Sequence, residues 1–394
     1  MQTVVLAAGE GTRMRPLTED RPKPMLPVAG RPLVEHTVAA AVEAGASRVV
    51  LVVGYEADAV RAHFDDDYRG VPVEYAVQSE QRGTAHAVRA ARDELEDAPF
   101  VVLNGDALYD VPSLGELYER EPAVGSFRVG NPSQYGVLDV DGGLVGGVVE
   151  KPADPPSDLI NAGAYAFPAA ALSWLDVGES ERGELELTDV LDRACAEFDV
   201  RAVPFERWLD VGRPWELLEA NEWKLGELEA RVDGDVSPDA ELNGAVVVEE
   251  GGAVRSGAVI DGPAYVASGA TVGPNAFVRG ATLLCEDAKV GNAVEAKNSV
   301  FFEGATVGHL SYVGDSVLGR DVNFGAGTKV ANLRHDGADV RLTVKGDRVS
   351  TGRRKFGVVC GDEVKTGINS SLNAGVVLGG GATTEPGESV MRDR

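Results

Sequence analysis

From Val236 the chain carries an aliphatic residue at every sixth position: Val236, Leu242, Val248, Val254, Ile260, Val266, Val272, Val278, Leu284 and Val290. Small residues stand two places earlier, as at Ala264, Ala270 and Ala276, and glycines punctuate the turns between. A period of six is neither the 3.6 of an α-helix nor the 2 of a half-buried strand. It is the period of a parallel β-helix built from hexapeptide repeats. The register slips near Ala296 and resumes through Val307, Val313, Leu318, Phe324 and Val330. A loop over Asn332–Gly357 interrupts the array, and further coils follow from Val358.

The first half has a different pattern. Thr3–Ala7, Arg48–Val53, Val71–Val77 and Phe100–Leu103 are short apolar runs that predict strands. Leu33–Ala44, ended by Gly45, and Thr84–Leu95 predict helices between them. This alternation predicts an α/β, Rossmann-like, mostly parallel sheet with helices on both faces. Tyr135–Val149 predicts a glycine-rich hairpin, Ile160–Phe167 a strand, Leu187–Glu197 an amphipathic helix and Pro214–Leu228 a helix leading out. The predicted division is a first domain over residues 1–229 and a β-helix over residues 230–394. Ligands in such sheets bind beyond the carboxyl ends of the strands. Leu6–Arg15, Gln78–Thr84 and Asn104–Asp106 all fall there and should converge on one cleft.

Charge narrows the partners. The net charge is −26, which argues against nucleic acid or an anionic membrane. Lysine is scarce, 9 against 28 arginines, and an acid-rich, lysine-poor surface suits high salt. Cys195, Cys285 and Cys360 are odd in number and far apart, so they predict reduced, buried thiols rather than a disulfide framework. There is neither a charged segment before the first apolar run nor an 18-residue apolar stretch, so the expectation is a cytoplasmic protein with no membrane span.

The candidate chemistry of the first domain begins at LAAGEGTRMRPLTEDRPKPML, Leu6 to Leu26. Leu6, Ala8, Gly9, Gly11 and Thr12 form a strand end and glycine turn that lets backbone N–H groups approach a ligand. Arg13, Arg15, Arg21 and Lys23 add clustered positive charge, and together these features fit a phosphate site. No GK[ST] follows the glycines, and Met14 breaks G-x-G-x-x-G, so neither common nucleotide loop is present. Residues 1–223 hold only two lysines, Lys23 and Lys151, which suggests that those positions require a compact ammonium. Asp106 in LNGDALYD and Asp210 in WLDVG each end an apolar strand, and two converging carboxylates suit Mg²⁺.

The string G-x-G-T-R-[ML], P-L-T, K-P-M-L resembles the signature of the sugar-1-phosphate nucleotidylyltransferases, and the similarity runs to about residue 225. The resemblance implies that Arg13 and Lys23 act on the nucleotide phosphates and that Lys151 contacts the phosphate of the sugar 1-phosphate. It implies that Gln78, Gly83 and Thr84 receive the pyrimidine, that Gly136, Glu150 and Asn161 bind the sugar, and that Asp106 and Asp210 hold Mg²⁺. The string Q-x-x-Q-x-G-T-x-H-A resembles the uridylyltransferases of N-acetylglucosamine 1-phosphate, whereas WLDVG is closer to the glucose 1-phosphate thymidylyltransferases. UTP and dTTP therefore both stand as nucleotide partners, beside a sugar 1-phosphate. His86 is expected to pack on its helix rather than to catalyse.

The array resembles the left-handed β-helix acyltransferases, which implies a homotrimer or larger homo-oligomer. GHLSYVGDS followed by NFGAGT resembles the glucosamine 1-phosphate acetyltransferase domain of bifunctional bacterial enzymes. There His309 would be the general base for attack of a sugar amine on acetyl-CoA, with Tyr312, Asn323 and Asn332 contacting substrate. The family pattern places a lysine six residues after Asn332, where this chain has Ala338, and Arg341 is a candidate replacement. Arg334–Lys355 carries seven basic and three acidic residues, so its TGRRKFG core is expected to bind a phosphate. These resemblances imply a bifunctional enzyme of nucleotide-sugar synthesis. The alternatives are a glucose-1-phosphate thymidylyl- or uridylyltransferase on a structural, trimerising β-helix, and a regulatory scaffold with an inactive transferase domain.

Overall fold

The computed structural model describes every residue except Tyr55, Glu181 and Arg182. The chain forms two compact units: Met1–Glu10, Pro22–Met25 and Pro32–Asp210 make the first, and Gly11–Arg21, Leu26–Arg31 and Val211–Arg394 the second.

The first unit is built on a ten-stranded sheet. Its centre is parallel: Phe100–Asn104, Gln2–Ala7, Arg48–Val53 and Val71–Val77 lie side by side in that order. These strands read as continuous apolar runs because both of their faces are covered; Val4, Val5, Val49, Val50 and Leu51 are fully buried. Beyond Phe100–Asn104 the sheet becomes mixed. Leu159–Phe167 pairs antiparallel to that strand and to Ala123–Arg128. Gly136–Asp141 and Leu144–Glu150 form the expected hairpin at the edge. The helix predicted over Thr84–Leu95 is shorter, running Thr84–Ala90 and passing into a 3₁₀ turn at Arg92–Glu94. Arg89 and Arg92 on this stretch both reach Asp176.

The second unit is the hexapeptide β-helix, three parallel sheets of seven or eight short strands. Nine of the ten residues from Leu242 to Ala296 in the six-residue register are fully buried, Leu242 partly so, and together they form one continuous core. Burying each such side chain contributes about 1.5–3 kcal/mol, so the column as a whole holds the coils together. Ala296 is itself in register and fully buried. The slip lies after it: the core passes from Ala296 to Phe301 and from Val313 to Leu318, five residues each. The two shortened corners carry Asn298 and Asp315, both with positive φ (47° and 51°). Residues 332–357 leave the coil as an excursion containing the antiparallel hairpin Arg341–Val344 and Asp347–Ser350.

Among the described residues no helix is long and apolar enough to cross a membrane. All three cysteines are free thiols. Cys285 and Cys360 are buried, and burial pushes both thiols up; half-buried Cys195 is raised to about 11 by the same cause. Since the thiolate is the nucleophile, the native protein at pH 8 should react with Ellman's reagent only slowly, and three thiols should appear at once in denaturant. Rapid native reaction would contradict this burial.

Candidate active sites

In the first unit the ends of the central strands open on a cavity of about 260 Å³. Leu6, Ala8 and Gly9 line it from the first strand, Gln78, Gly83 and Thr84 from the second crossover, and Asn104 and Asp106 from the neighbouring strand end. The three stretches thus meet as the strand order requires. Gln78 is almost fully buried, and its amide nitrogen lies 3.2 Å from the Gly83 carbonyl and 3.1 Å from His86 Nδ1. Burial, and then Arg89 and Arg82, push the His86 pKa down, so the ring is neutral and its Nδ1 can accept. Both amide hydrogens of Gln78 are then used, which leaves its carbonyl oxygen to face a ligand. Gly83 has φ 112°, and a Cβ there would stand 2.3 Å from the Leu185 carbonyl oxygen, so only glycine fits. The Thr84 hydroxyl accepts from the Leu187 N–H at 3.0 Å, which turns it toward the backbone.

Lys23 is 5% exposed, and its ammonium donates to Asp106 Oδ2 at 2.5 Å. A buried ammonium needs such a partner. Asp210 lies beside this pair, because Trp208–Asp210 runs antiparallel to Ala107–Tyr109 with Asp210 opposite Ala107. Burial, then the charge of Asp106 and, more weakly, that of Asp210, push the Tyr109 hydroxyl far above its ordinary range. Gly136, Glu150 and Asn161 gather at the edge hairpin. Gly136 is paired with Glu150, and a Cβ on Gly136 would stand 2.8 Å from Glu150 Oε2 and 3.8 Å from Asn161 Cβ. Asn161 donates to the Tyr165 hydroxyl at 2.7 Å and accepts from the Gly163 N–H at 2.9 Å. Lys151 is half exposed and 3.3 Å from Glu150.

Gly11, Thr12 and Arg13 belong to the second unit, where Arg13 is exposed and Gly11 has φ 67°. On the β-helix, His309 is exposed at the end of the strand Thr306–His309, paired in register with Asn292 of the preceding coil. Tyr312 and Asn332 meet: the Asn332 amide is 3.1 Å from the Tyr312 hydroxyl and 2.5 Å from Asp315 Oδ2. Asn323 lies on a neighbouring sheet with its side chain exposed. Asp315 is 2% exposed and also holds the Lys297 ammonium at 2.7 and 2.9 Å.

The nucleotidyl transferase family profile matches residues 2–226, and the GMPPB C-terminal domain profile matches residues 260–385. A bifunctional sugar-1-phosphate nucleotidylyltransferase/acetyltransferase of Sulfurisphaera tokodaii is 38% identical over all of this chain and 98% of its own length. The chain belongs to this bifunctional family. The bifunctional protein GlmU of Methanococcus maripaludis is 41% identical over 96% of this chain and 92% of its own. The solved structure of a UDP-glucose pyrophosphorylase with UDP-glucose superposes at TM-score 0.51 and 26% identity, on 56% of this chain and 96% of its own.

Within that family framework the geometry adds residues that the sequence did not mark. Gln81 and Glu184 line the cavity, and the Gln81 amide donates to the Ala8 carbonyl at 2.6 Å. Arg279 and Lys297 are partners in adjacent coils, with Gly314 next on the same column. Their 18-residue spacing, one coil, was the available signal. The basic excursion behaves differently from its expectation at two points. Arg353 is committed to Glu222 by a two-pronged ion pair, and Arg341 donates to the Arg348 carbonyl at 2.6 Å.

His86→Leu should free the Gln78 amide and raise the nucleotide KM about tenfold, equivalent to ~1.4 kcal/mol, with kcat nearly unchanged. In the wild type that KM should stay flat through the ordinary imidazole range and rise only at lower pH, where His86 gains its proton and ceases to accept. A rise beginning at higher pH, or no effect of the substitution, would contradict the hydrogen bond.

Proposed function

We propose that the chain makes a nucleotide sugar in two steps: acetylation of an amino-sugar 1-phosphate by acetyl-CoA on the β-helix, then nucleotidylyl transfer in the first unit. The observation that carries the second step is the buried Lys23–Asp106 pair at a cavity lined by Gly9, Gln78 and Gly83. A phosphate oxygen of the sugar 1-phosphate attacks the α-phosphorus of the nucleotide, the bond to the β-phosphate oxygen breaks, and pyrophosphate leaves. The nucleophile is already anionic, so the protein's task is positioning and charge neutralisation. Lys23 and Arg13 meet the triphosphate, and Lys151 meets the sugar phosphate. Gly136, Glu150 and Asn161 hold the sugar ring. The free carbonyl oxygen of Gln78 suits the N3–H of uracil or thymine and rejects the bare N3 of cytosine, which fits UTP or dTTP without separating them. Leu6, Ala8, Gly9, Gly11 and Thr12 supply backbone contacts, and Thr84 closes the base pocket.

Asp106 and Asp210 are the residues that would hold Mg²⁺. Asp210 is paired opposite Ala107, the residue after Asp106, and carboxylates are the hard oxygen donors that this ion takes beside phosphates. When bound, it neutralises charge on the reacting phosphates.

For acetyl transfer, the supporting observation is the Tyr312–Asn332 contact near the exposed strand end at His309. The amine attacks the thioester carbonyl, the C–S bond breaks, and coenzyme A leaves as the thiolate. His309 takes the amine proton. Asn323 contacts substrate from the adjoining sheet. Ala338 would favour a purely structural β-helix, but the excursion returns so that Lys355 bridges to Leu333 and the Phe356 N–H bonds the Asn332 carbonyl at 3.0 Å. The backbone of Lys355 is thus brought back to within one residue of Asn332, and Lys355 is the candidate for the ammonium that position 338 lacks. Ile368, 55% exposed, lies on the column of His309, an apolar surface that assembly as a homotrimer would cover.

Lys23→Ala should lower the kcat of pyrophosphate release at least 100-fold and leave acetyl transfer intact, and His309→Ala should do the reverse. Steady-state assays of both activities on each variant check this, and a variant that loses both would break the assignment. Lys355→Ala should raise the KM for the amino-sugar phosphate about tenfold; an unchanged KM would return the role to another residue.

A further inference from the structure

The segment Gly11–Arg21, which carries Arg13, belongs to the same compact unit as the β-helix. Met14 and Leu17 in it are buried, and the Thr18 hydroxyl closes it on the Gly11 carbonyl at 2.8 Å. Its far end lies on one corner of the coils. Strands Val300–Phe301, Val317–Leu318, Val359–Cys360 and Val377–Leu378 stack in register, so the residues that follow them form two columns. One column is Phe302, Gly319, Gly361 and Gly379; the next is Glu303, Arg320, Asp362 and Gly380.

Four consecutive coils touch the loop there. Arg21 is paired with Glu303 at 2.6 Å, and its guanidinium stands 5.2 Å over the Phe302 ring. Arg320 reaches the Asp20 carbonyl at 3.4 Å while Asp362 holds its Nε at 2.7 Å and its backbone N–H at 2.8 Å. A Cβ at Gly361 would stand 2.9 Å from Pro16 Cβ, and one at Gly380 would stand 3.3 Å from Glu19 Oε2. Lower in the same column the corresponding places carry side chains, Ala267 and Cys285. The corner is thus shaped and charged to receive the loop.

We propose that this corner is a positioning seat for the triphosphate loop, in which Glu303 and Arg320 act through Arg21 and Asp20 to set where Arg13 is carried. The inference rests on the reading of Arg13 as a triphosphate contact. It gives the β-helix a second role, in nucleotidylyl transfer. Misplacing a catalytic group by about 1 Å costs on the order of 100-fold in rate, and the seat supplies preorganisation that a free loop lacks. The UDP-glucose pyrophosphorylase structure is matched over 96% of its length by 56% of this chain.

The test uses the full chain with Arg21→Glu, Glu303→Arg and the double charge swap, scoring pyrophosphate release and coenzyme A release on the same preparations. Each single variant should lower the kcat of pyrophosphate release about tenfold, with unchanged coenzyme A release and little change in KM. The double swap should restore most of the loss. Single variants at full kcat, parallel loss of both activities, or a double variant no better than the singles would each overturn the seat. Arg13→Ala separates the two failures. Full turnover in that variant removes the role of Arg13 itself, whereas lost turnover beside unaffected single variants removes only the seat.

Discussion

An ammonium with almost no access to water has to be met by a carboxylate, and the Lys23–Asp106 pair is where that requirement organises the transferase chemistry. It ties the RPKPML segment to the junction between Phe100–Asn104 and Ala107–Tyr109. The second of these strands then carries Trp208–Asp210 alongside, which brings Asp210 to the same end. A side chain already neutralised by one anion is poised to share its charge with another. The pair is a structural anchor, and under the proposed function its ammonium also meets the triphosphate; arginine, with its planar fork, is no simple substitute.

The β-helix obeys a different constraint. One aliphatic residue per side must point inward, so each corner position recurs about every 18 residues, and functional groups come in columns. Arg279 and Lys297 share one, and Glu303, Arg320 and Asp362 share another. The two shortened corners at Asn298 and Asp315 break the strict period where the polar network is densest: Asp315 gathers Lys297, Asn298 and Asn332. A buried carboxylate with three donors is satisfied, and it sets the Asn332 amide against the Tyr312 hydroxyl.

Much of this was legible in the residues. The six-residue period marked the coils, and the apolar strand ends placed Leu6, Gln78 and Asp106 around one cavity because strand order in a parallel sheet leaves little choice. The hydrogen bonds of Gln81 to the Ala8 carbonyl and of His86 to Gln78 were not legible, because a polar residue on a turn or short helix has no periodic signature. Lys355 was marked only as part of the basic loop, because the inserted hairpin between Leu333 and Lys355 hides from the sequence that their backbones pair. Arg21 and Glu303 are 282 residues apart, and no local pattern couples them. The register slip read near Ala296 was a missing corner residue, visible only once Ala296 is seen to be buried in the core column.

The central claim is that one chain performs both transfers in order. The most direct measurement supplies the full-length protein, in high salt with Mg²⁺, with an amino-sugar 1-phosphate, acetyl-CoA and UTP or dTTP, and follows coenzyme A, pyrophosphate and the nucleotide sugar together. The account predicts one coenzyme A and one pyrophosphate per N-acetylated nucleotide sugar, with no such product when acetyl-CoA is withheld. Release of pyrophosphate with no coenzyme A from any amino-sugar 1-phosphate would contradict it and leave the β-helix without acetyltransferase activity.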